Sequence, residues 1–144
     1  MLFVVAAGNN GEDLDSVSRP SIPASFDLPN ILTVAAVDNT GQLASFSNYG
    51  ETSVDVSAPG VDIASTFPDY DGNDAGYYWL SGTSMAAPLV AAAAAMLRAR
   101  NSKLSYSDIR SLLKASVDPT PALSGKVVTG GRLNIARALE RAGS

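Results

Sequence analysis

The stretch that most constrains this chain is Thr83 to Arg100, T-S-M-A-A-P-L-V-A-A-A-A-A-M-L-R-A-R. It carries no charge before Arg98 and Arg100, and the alanines Ala91 to Ala95 run through its middle. Such a segment reads as a helix apolar on nearly every face, and a helix of that kind must be buried. Its alanines let neighbouring elements pack close to the axis. Pro88 falls early in it, where proline is best tolerated, at the expense of a bend. The rest of the chain has to supply layers that enclose it.

The preceding sequence supplies strands. Leu2 to Ala7 is an unbroken apolar run ending at Gly8-Asn9-Asn10-Gly11, the pattern of a strand buried on both faces of a parallel sheet. Gly11 to Pro29 is polar, Pro-containing loop. Ile31 to Val37 is a second buried strand, closed by Asp38-Asn39-Thr40-Gly41. Val54 to Ser57 is a third, with Ala58-Pro59-Gly60 as its stop. Ile63 to Phe67 and Tyr77 to Leu80 flank an acidic stretch and predict a hairpin. Beyond the long helix, Ser105-x-x-Asp108 forms a capping-box pattern, and Ile109, Leu112 and Leu113 give the next helix one apolar stripe. Asn134 caps a last helix with Ile135, Ala138, Leu139 and Ala142 on one face and Gly143 as its stop. This order predicts an α/β layer protein with a mainly parallel sheet. Three visible parallel strands are few for such a sheet.

Composition removes several function classes. The 144 residues fit one domain with a real core. The net charge of −4 and the absence of a Lys/Arg cluster argue against nucleic acid or an anionic membrane as partner. With no cysteine, disulfides and thiolate metal sites are excluded and the compartment is left open. No apolar run approaches the ~20 residues of a membrane span. Met1-Leu2-Phe3-Val4-Val5 has no basic n-region and does not read as a signal peptide; it reads as a chain that begins inside a strand.

The chemistry centres on Ser81 to Pro88, S-G-T-S-M-A-A-P. A nucleophilic serine needs a general base, donors for the oxyanion and a fixed position. Ser84 falls at the predicted start of the long helix, where its backbone N–H is an unpaired first-turn donor at the positive end of the dipole. Ser84 or Thr83 is equally at home as a helix cap. Ala6-Ala7-Gly8-Asn9 places an asparagine at the carboxyl end of a parallel strand, where α/β sheets hold ligand-binding groups. Its side-chain amide can donate to an oxyanion, or it can belong to an ordinary Asn-Asn-Gly turn.

Taken together, A-A-G-N and G-T-S-M-A-A-P resemble the oxyanion-asparagine and nucleophile motifs of the subtilisin-like serine proteases, peptidase family S8. Asn30 to Asp38, Ala44-Ser45-Phe46-Ser47-Asn48-Tyr49-Gly50, Asp55 to Val61 and Gly130 to Asn134 resemble further landmarks of that family, in family order. The resemblance covers nearly the whole chain and implies the C-terminal half of a three-layer subtilisin-like α/β domain. It makes Ser84 the nucleophile of a peptide-bond hydrolase, with the Ser84 N–H and the Asn9 side chain as the oxyanion hole and Thr83 supporting it. It implies that Ala6, Ala7 and Gly8 wall the pocket for the substrate side chain before the scissile bond, and it sets Met85 beside the nucleophile, open to oxidants. The implied substrate is a polypeptide.

The family's triad runs Asp, His, Ser along the chain. Here there is no histidine at all, and no motif for the triad aspartate. The isolated chain is therefore expected to be inactive. No cofactor is implied for this chain; the complete family domain carries calcium at a strong site that depends on the other half. A weak cation site of the family would use backbone carbonyls near Ala24, Phe26 and Ile31, although Ile22-Pro23-Ala24 stands where Tyr-Pro-Ala is usual. The acidic residues Asp69, Asp71 and Asp74 read as a solvated hairpin loop before a cation site. Leu89 replaces a common histidine after the motif's proline, and Ala92 a common glycine. Two readings follow: part of an endopeptidase completed by residues supplied elsewhere, or a non-catalytic α/β module that acts in assembly. In either case the apolar Leu2 to Val5 edge calls for a partner, the N-terminal half or a second copy of the chain.

Overall fold

The computed structural model describes residues 1–68 and 76–143. Asp69, Asp71 and Asp74 lie outside the described residues. The elements run β1 (Phe3–Ala6), β2 (Ile31–Val37), β3 (Val56–Pro59), β4 (Ile63–Phe67), β5 (Gly76–Leu80), α1 (Thr83–Arg100), α2 (Tyr106–Ala115), β6 (Val117–Pro119), β7 (Gly131–Leu133) and α3 (Ile135–Ala142). A five-stranded sheet has the order β1-β2-β3-β7-β6, parallel except for the β6–β7 pair, and β4–β5 form a separate antiparallel hairpin.

All residues of β2 are buried. Leu32, Val34 and Ala36 pack toward the helices with Val56, Ala58 and the inner face of α1. Ala35 and Val37 face the opposite way, into a second cluster with Ala7, Leu14, Ala24, Val54, Leu123 and Val127. This is the alternation of a strand covered on both sides. The helices occupy one face. Among the described residues, the other face is covered by loop segments and the 3₁₀ turn Pro121–Leu123, so the expected third layer is built of irregular chain here.

Three expectations are corrected. β1 is shorter by one residue at each end than Leu2–Ala7. The third strand lies two residues later than Val54–Ser57 and includes Pro59, the residue expected to stop it. Proline is tolerated because it ends the strand: the ladder bond there is made by Gly60 N–H to Val37 O at 2.9 Å. The short β6 and β7 were missed, because segments of three residues carry no measurable periodicity.

A further correction concerns α1. It packs on β1, β2, β3, α2 and α3. Its buried residues, Thr83, Ala86, Ala87, Val90, Ala93 and Leu97, form one stripe. Ala91, Ala92, Ala95, Met96 and Ala99 are exposed, Met96 by 46%. A helix whose sequence asks for burial all round is covered on one side. β1 shows the same deficit: it is the edge of the sheet, its residues are exposed or half-buried, and Phe3 is 51% exposed.

The remaining helices follow their signals. The Ser105–Asp108 capping box forms as expected, and Asn134 Oδ1 accepts from Arg137 N–H at the start of α3.

Candidate active site

The site forms where β1 and α1 meet at the carboxyl edge of the parallel sheet. The chain leaves β1 through Ala7 and Gly8 and presents Asn9 at the surface. It reaches α1 from the hairpin through Ser81 and Gly82. The start of α1 is pinned to the end of β3, since Gly82 N–H donates to Gly60 O at 2.8 Å. A Cβ on Gly60 would lie 2.6 Å from Ala36 Cβ and 2.8 Å from Gly82 O, so only glycine permits this approach.

The two sequence-identified motifs meet directly. Thr83 N–H and Thr83 Oγ1 both donate to Asn9 Oδ1, at 2.9 and 2.8 Å. Thr83 Oγ1 accepts from Gly8 N–H at 3.1 Å. With an acceptor lone pair of the hydroxyl filled by Gly8, its proton goes to Asn9. The Asn9 carboxamide is thereby oriented: its oxygen faces the helix, and its Nδ2 donors are left for something else. Nδ2 passes 3.4 Å from where a Cβ of Gly82 would stand.

The geometry removes one of the two readings of Ser84, that of a helix cap. The helix N-cap is Gly82, without a side-chain cap, and the Thr83 hydroxyl is committed to Asn9. Neither hydroxyl caps the helix. Ser84 lies in the first turn and is exposed, with no partner for its hydroxyl among the described residues. Its N–H is one of the first-turn amides that no helical carbonyl can reach. No acidic side chain stands in that turn to offset the positive dipole end. Ser84 Oγ and an oxyanion held between Ser84 N–H and Asn9 Nδ2 suit attack on an acyl carbon.

Ala6 and Gly8 are half-buried beside the site, whereas Ala7 is fully buried in the cluster behind the sheet. Ala7 N–H donates to Val34 O and Ala7 O accepts from Asn48 Nδ2, both at 3.0 Å, so Ala7 presents no free group to a ligand. Met85, half-buried, follows Ser84, and its N–H closes the first turn onto Gly82 O at 3.0 Å.

Each of the three carbonyls considered for a weak cation already accepts a hydrogen bond. Ala24 O accepts from Thr33 Oγ1 at 2.9 Å and Phe26 O from Leu28 N–H at 3.0 Å. Ile31 O accepts from the Arg110 guanidinium at 2.9 Å, a fixed positive charge that repels a metal ion. Among the described residues, no group of three His, Cys, Asp or Glu side chains could hold a metal.

Two features escaped the sequence reading. Asp55 is buried between Arg110 and Lys114, at 2.9 and 2.6 Å, and also accepts from Thr33 N–H, so it ties α2 to the sheet. Asn48 is buried under the Asn9 loop and bonded to both of its limbs. Sequence alone shows Asp55 between Val54 and Val56 and Asn48 between Ser47 and Tyr49; only the fold reveals their partners.

Comparison with known proteins agrees with this geometry. The model of the subtilase family matches residues 1–137. The thermophilic serine proteinase of Bacillus sp. (strain AK1) is 44% identical over 133 residues, 92% of this chain and 29% of that protein. The cell wall-associated protease of Bacillus subtilis (strain 168) is 40% identical over 131 residues, 91% of this chain and 13% of that protein. Among solved structures, the A-subunit of an AB5 toxin from E. coli superposes with a TM-score of 0.87 at 26% identity, over 99% of this chain and 51% of that one. The chain thus spans less than a third of these curated relatives and about half of the solved neighbour. The family model over residues 1–137, the level of identity and the shared fold together place the chain in the subtilase family, peptidase S8.

Proposed function

We propose that residues 1–144 are the C-terminal half of a subtilisin-type serine endopeptidase domain, and that they hydrolyse peptide bonds once a histidine base and its aspartate are supplied from outside these residues. The observation that carries this reading is the pair of hydrogen bonds from Thr83 to Asn9 Oδ1, which leave the Asn9 amide protons free beside the exposed Ser84. In the complete enzyme the histidine removes the Ser84 Oγ proton as Oγ attacks the substrate carbonyl, then returns it to the leaving amine. Ser84 N–H and Asn9 Nδ2 receive the developing oxyanion. Ala6 and Gly8 form a wall of the pocket for the substrate side chain before the scissile bond.

The base cannot come from this chain, which has no histidine. The isolated chain is therefore inactive in this reading. Its partner is the N-terminal half of the domain, which adds a strand to the free edge of β1 and covers the apolar outer face of α1. The chain's span of about half of its solved neighbour supports that choice of occupant over a second copy. The same exposed edge favours the second reading, a non-catalytic assembly module.

The test is turnover of a fluorogenic peptide. The isolated chain should give none. A fusion carrying the N-terminal half of a subtilisin-like domain should turn over and lose its activity in Ser84→Ala. A well-folded, soluble fusion without activity would favour the assembly module.

A further inference from the structure

The loop that carries Asn9 is held by one buried side chain that does not touch Asn9. Asn48 is 1% exposed. Its Nδ2 donates to Ala7 O at 3.0 Å, and its Oδ1 accepts from Asn10 N–H and Glu12 N–H, each at 3.0 Å. Its backbone N–H donates to Gly8 O at 2.9 Å. The groups before Asn9 and those after it thus converge on a single residue. Asn48 is anchored in turn: Ser47 Oγ accepts from Ala36 N–H of β2 and donates to Asn48 O, both at 2.9 Å.

The local sequence accommodates this arrangement. Gly8 has φ 105°, and a Cβ there would lie 2.5 Å from Asn48 Nδ2. Gly8 is thus required both for its backbone conformation and to admit the asparagine. The side chain needs one donor and two acceptor positions at once. Asparagine supplies them; a hydroxyl of serine or threonine is too short to reach both limbs, and an aspartate would set a carboxylate oxygen against Ala7 O.

We propose that Asn48 is the positioning residue of the oxyanion site. It fixes the path by which Asn9 leaves the sheet, so that Oδ1 meets Thr83 and Nδ2 is presented beside Ser84. A buried amide needed for stability alone could be satisfied by any neighbouring backbone. All three side-chain bonds of Asn48 instead fall on the segment that brackets Asn9. The proposal rests on the reading of Asn9 as oxyanion donor.

The test has two parts. In the fusion enzyme, Asn48→Ala and Asn48→Asp should lower kcat by about 10–100-fold, the scale of a misplaced catalytic group, with KM changed less than about twofold. The loss should vanish in an Asn9→Ala background, because a positioning residue has nothing left to position. A kcat at the wild-type level, or a loss that adds in full to that of Asn9→Ala, would overturn the proposal. In the isolated chain, ¹⁵N NMR should show Asn10 and Glu12 amides protected from exchange, and Asn48→Asp should shift the Asn9 side-chain amide resonances. An unmoved Asn9 signal overturns the proposal even where the fusion is inactive, an outcome that counts against the endopeptidase reading instead. If Asn48→Ala does not fold, Asn48→Asp and Asn48→Ser carry both measurements.

Discussion

β1 and β2 are neighbouring strands with the same kind of sequence and opposite surroundings. Both are unbroken apolar runs that end at turn residues. β2 is buried along its full length, with helices on one face and loops on the other. β1 pairs with β2 on one side; among the described residues its other side is an open edge, and α1, which packs on it, keeps exposed alanines. An apolar pattern states what a strand requires, and the fold decides how much of it is met. In the proposed reading the deficit at β1 and α1 is the footprint of the other half of the domain, and the active site lies where the satisfied and unsatisfied regions meet.

Core truncation breaks the comparison with the largest effect. Leu32→Ala in β2 should cost about 2–5 kcal/mol, as for other fully buried leucines. Phe3→Ala in β1 should cost under about 1 kcal/mol, since half of its surface is already wet. Urea unfolding of the two variants measures the contrast, and equal losses would erase it.

The buried charge on the satisfied side comes next. Asp55→Asn leaves Arg110 and Lys114 without their shared carboxylate and should cost about 3 kcal/mol. The figure is the low end for such a break, because the two cations are 25% and 24% exposed. Thermal melting reads it.

A charge on the open side should separate folding from association. Phe3→Lys and Ala95→Lys should each change the stability of the isolated chain by less than about 0.5 kcal/mol. Both should weaken assembly with the N-terminal half or with a second copy, as measured by light scattering. A monodisperse, cooperatively melting wild-type monomer that also fails to bind the N-terminal half would sink the assignment of this face.

The smallest effect is acid sensitivity at a surface clasp. Burial pushes the Asp15 carboxyl up, but hydrogen bonds from Ser53 and Thr52 outweigh it and hold it below the ordinary carboxylate value. A lowered folded value means stability that is full above the unfolded value, about 4, and lost as pH falls through the folded one. Asp15→Asn should flatten that acid limb by under about 1 kcal/mol, as expected for a mostly exposed group. Denaturant midpoints between pH 5 and pH 2 measure it.

Much of this molecule was legible in local pattern. The continuous run Ile31 to Val37, the Ser105–Asp108 box and the Asn134 cap act through neighbours in sequence, so periodicity and cap chemistry found them. The meeting of Asn9 with Thr83 is a contact between distant parts of the chain. It was reached through resemblance of motifs, because no local rule joins a turn asparagine to a helix start. Asn48 and Asp55 stayed hidden for the same reason: their roles lie in bonds to segments far along the chain. Strands β6 and β7 were missed for lack of length, and α1 was read as fully enclosed because its sequence is apolar on nearly every face, whereas the described residues cover one stripe of it.

Covalent labelling of Ser84 by a fluorophosphonate, read as intact mass, tests the central claim most directly. In the proposed reading the isolated chain has the nucleophile and its oxyanion donors but no base, so it should remain unlabelled after prolonged exposure. Joined to an N-terminal half that brings the histidine and aspartate, it should take up one equivalent on Ser84. Stoichiometric labelling of the isolated chain, or a folded complete domain that stays unlabelled, would contradict it.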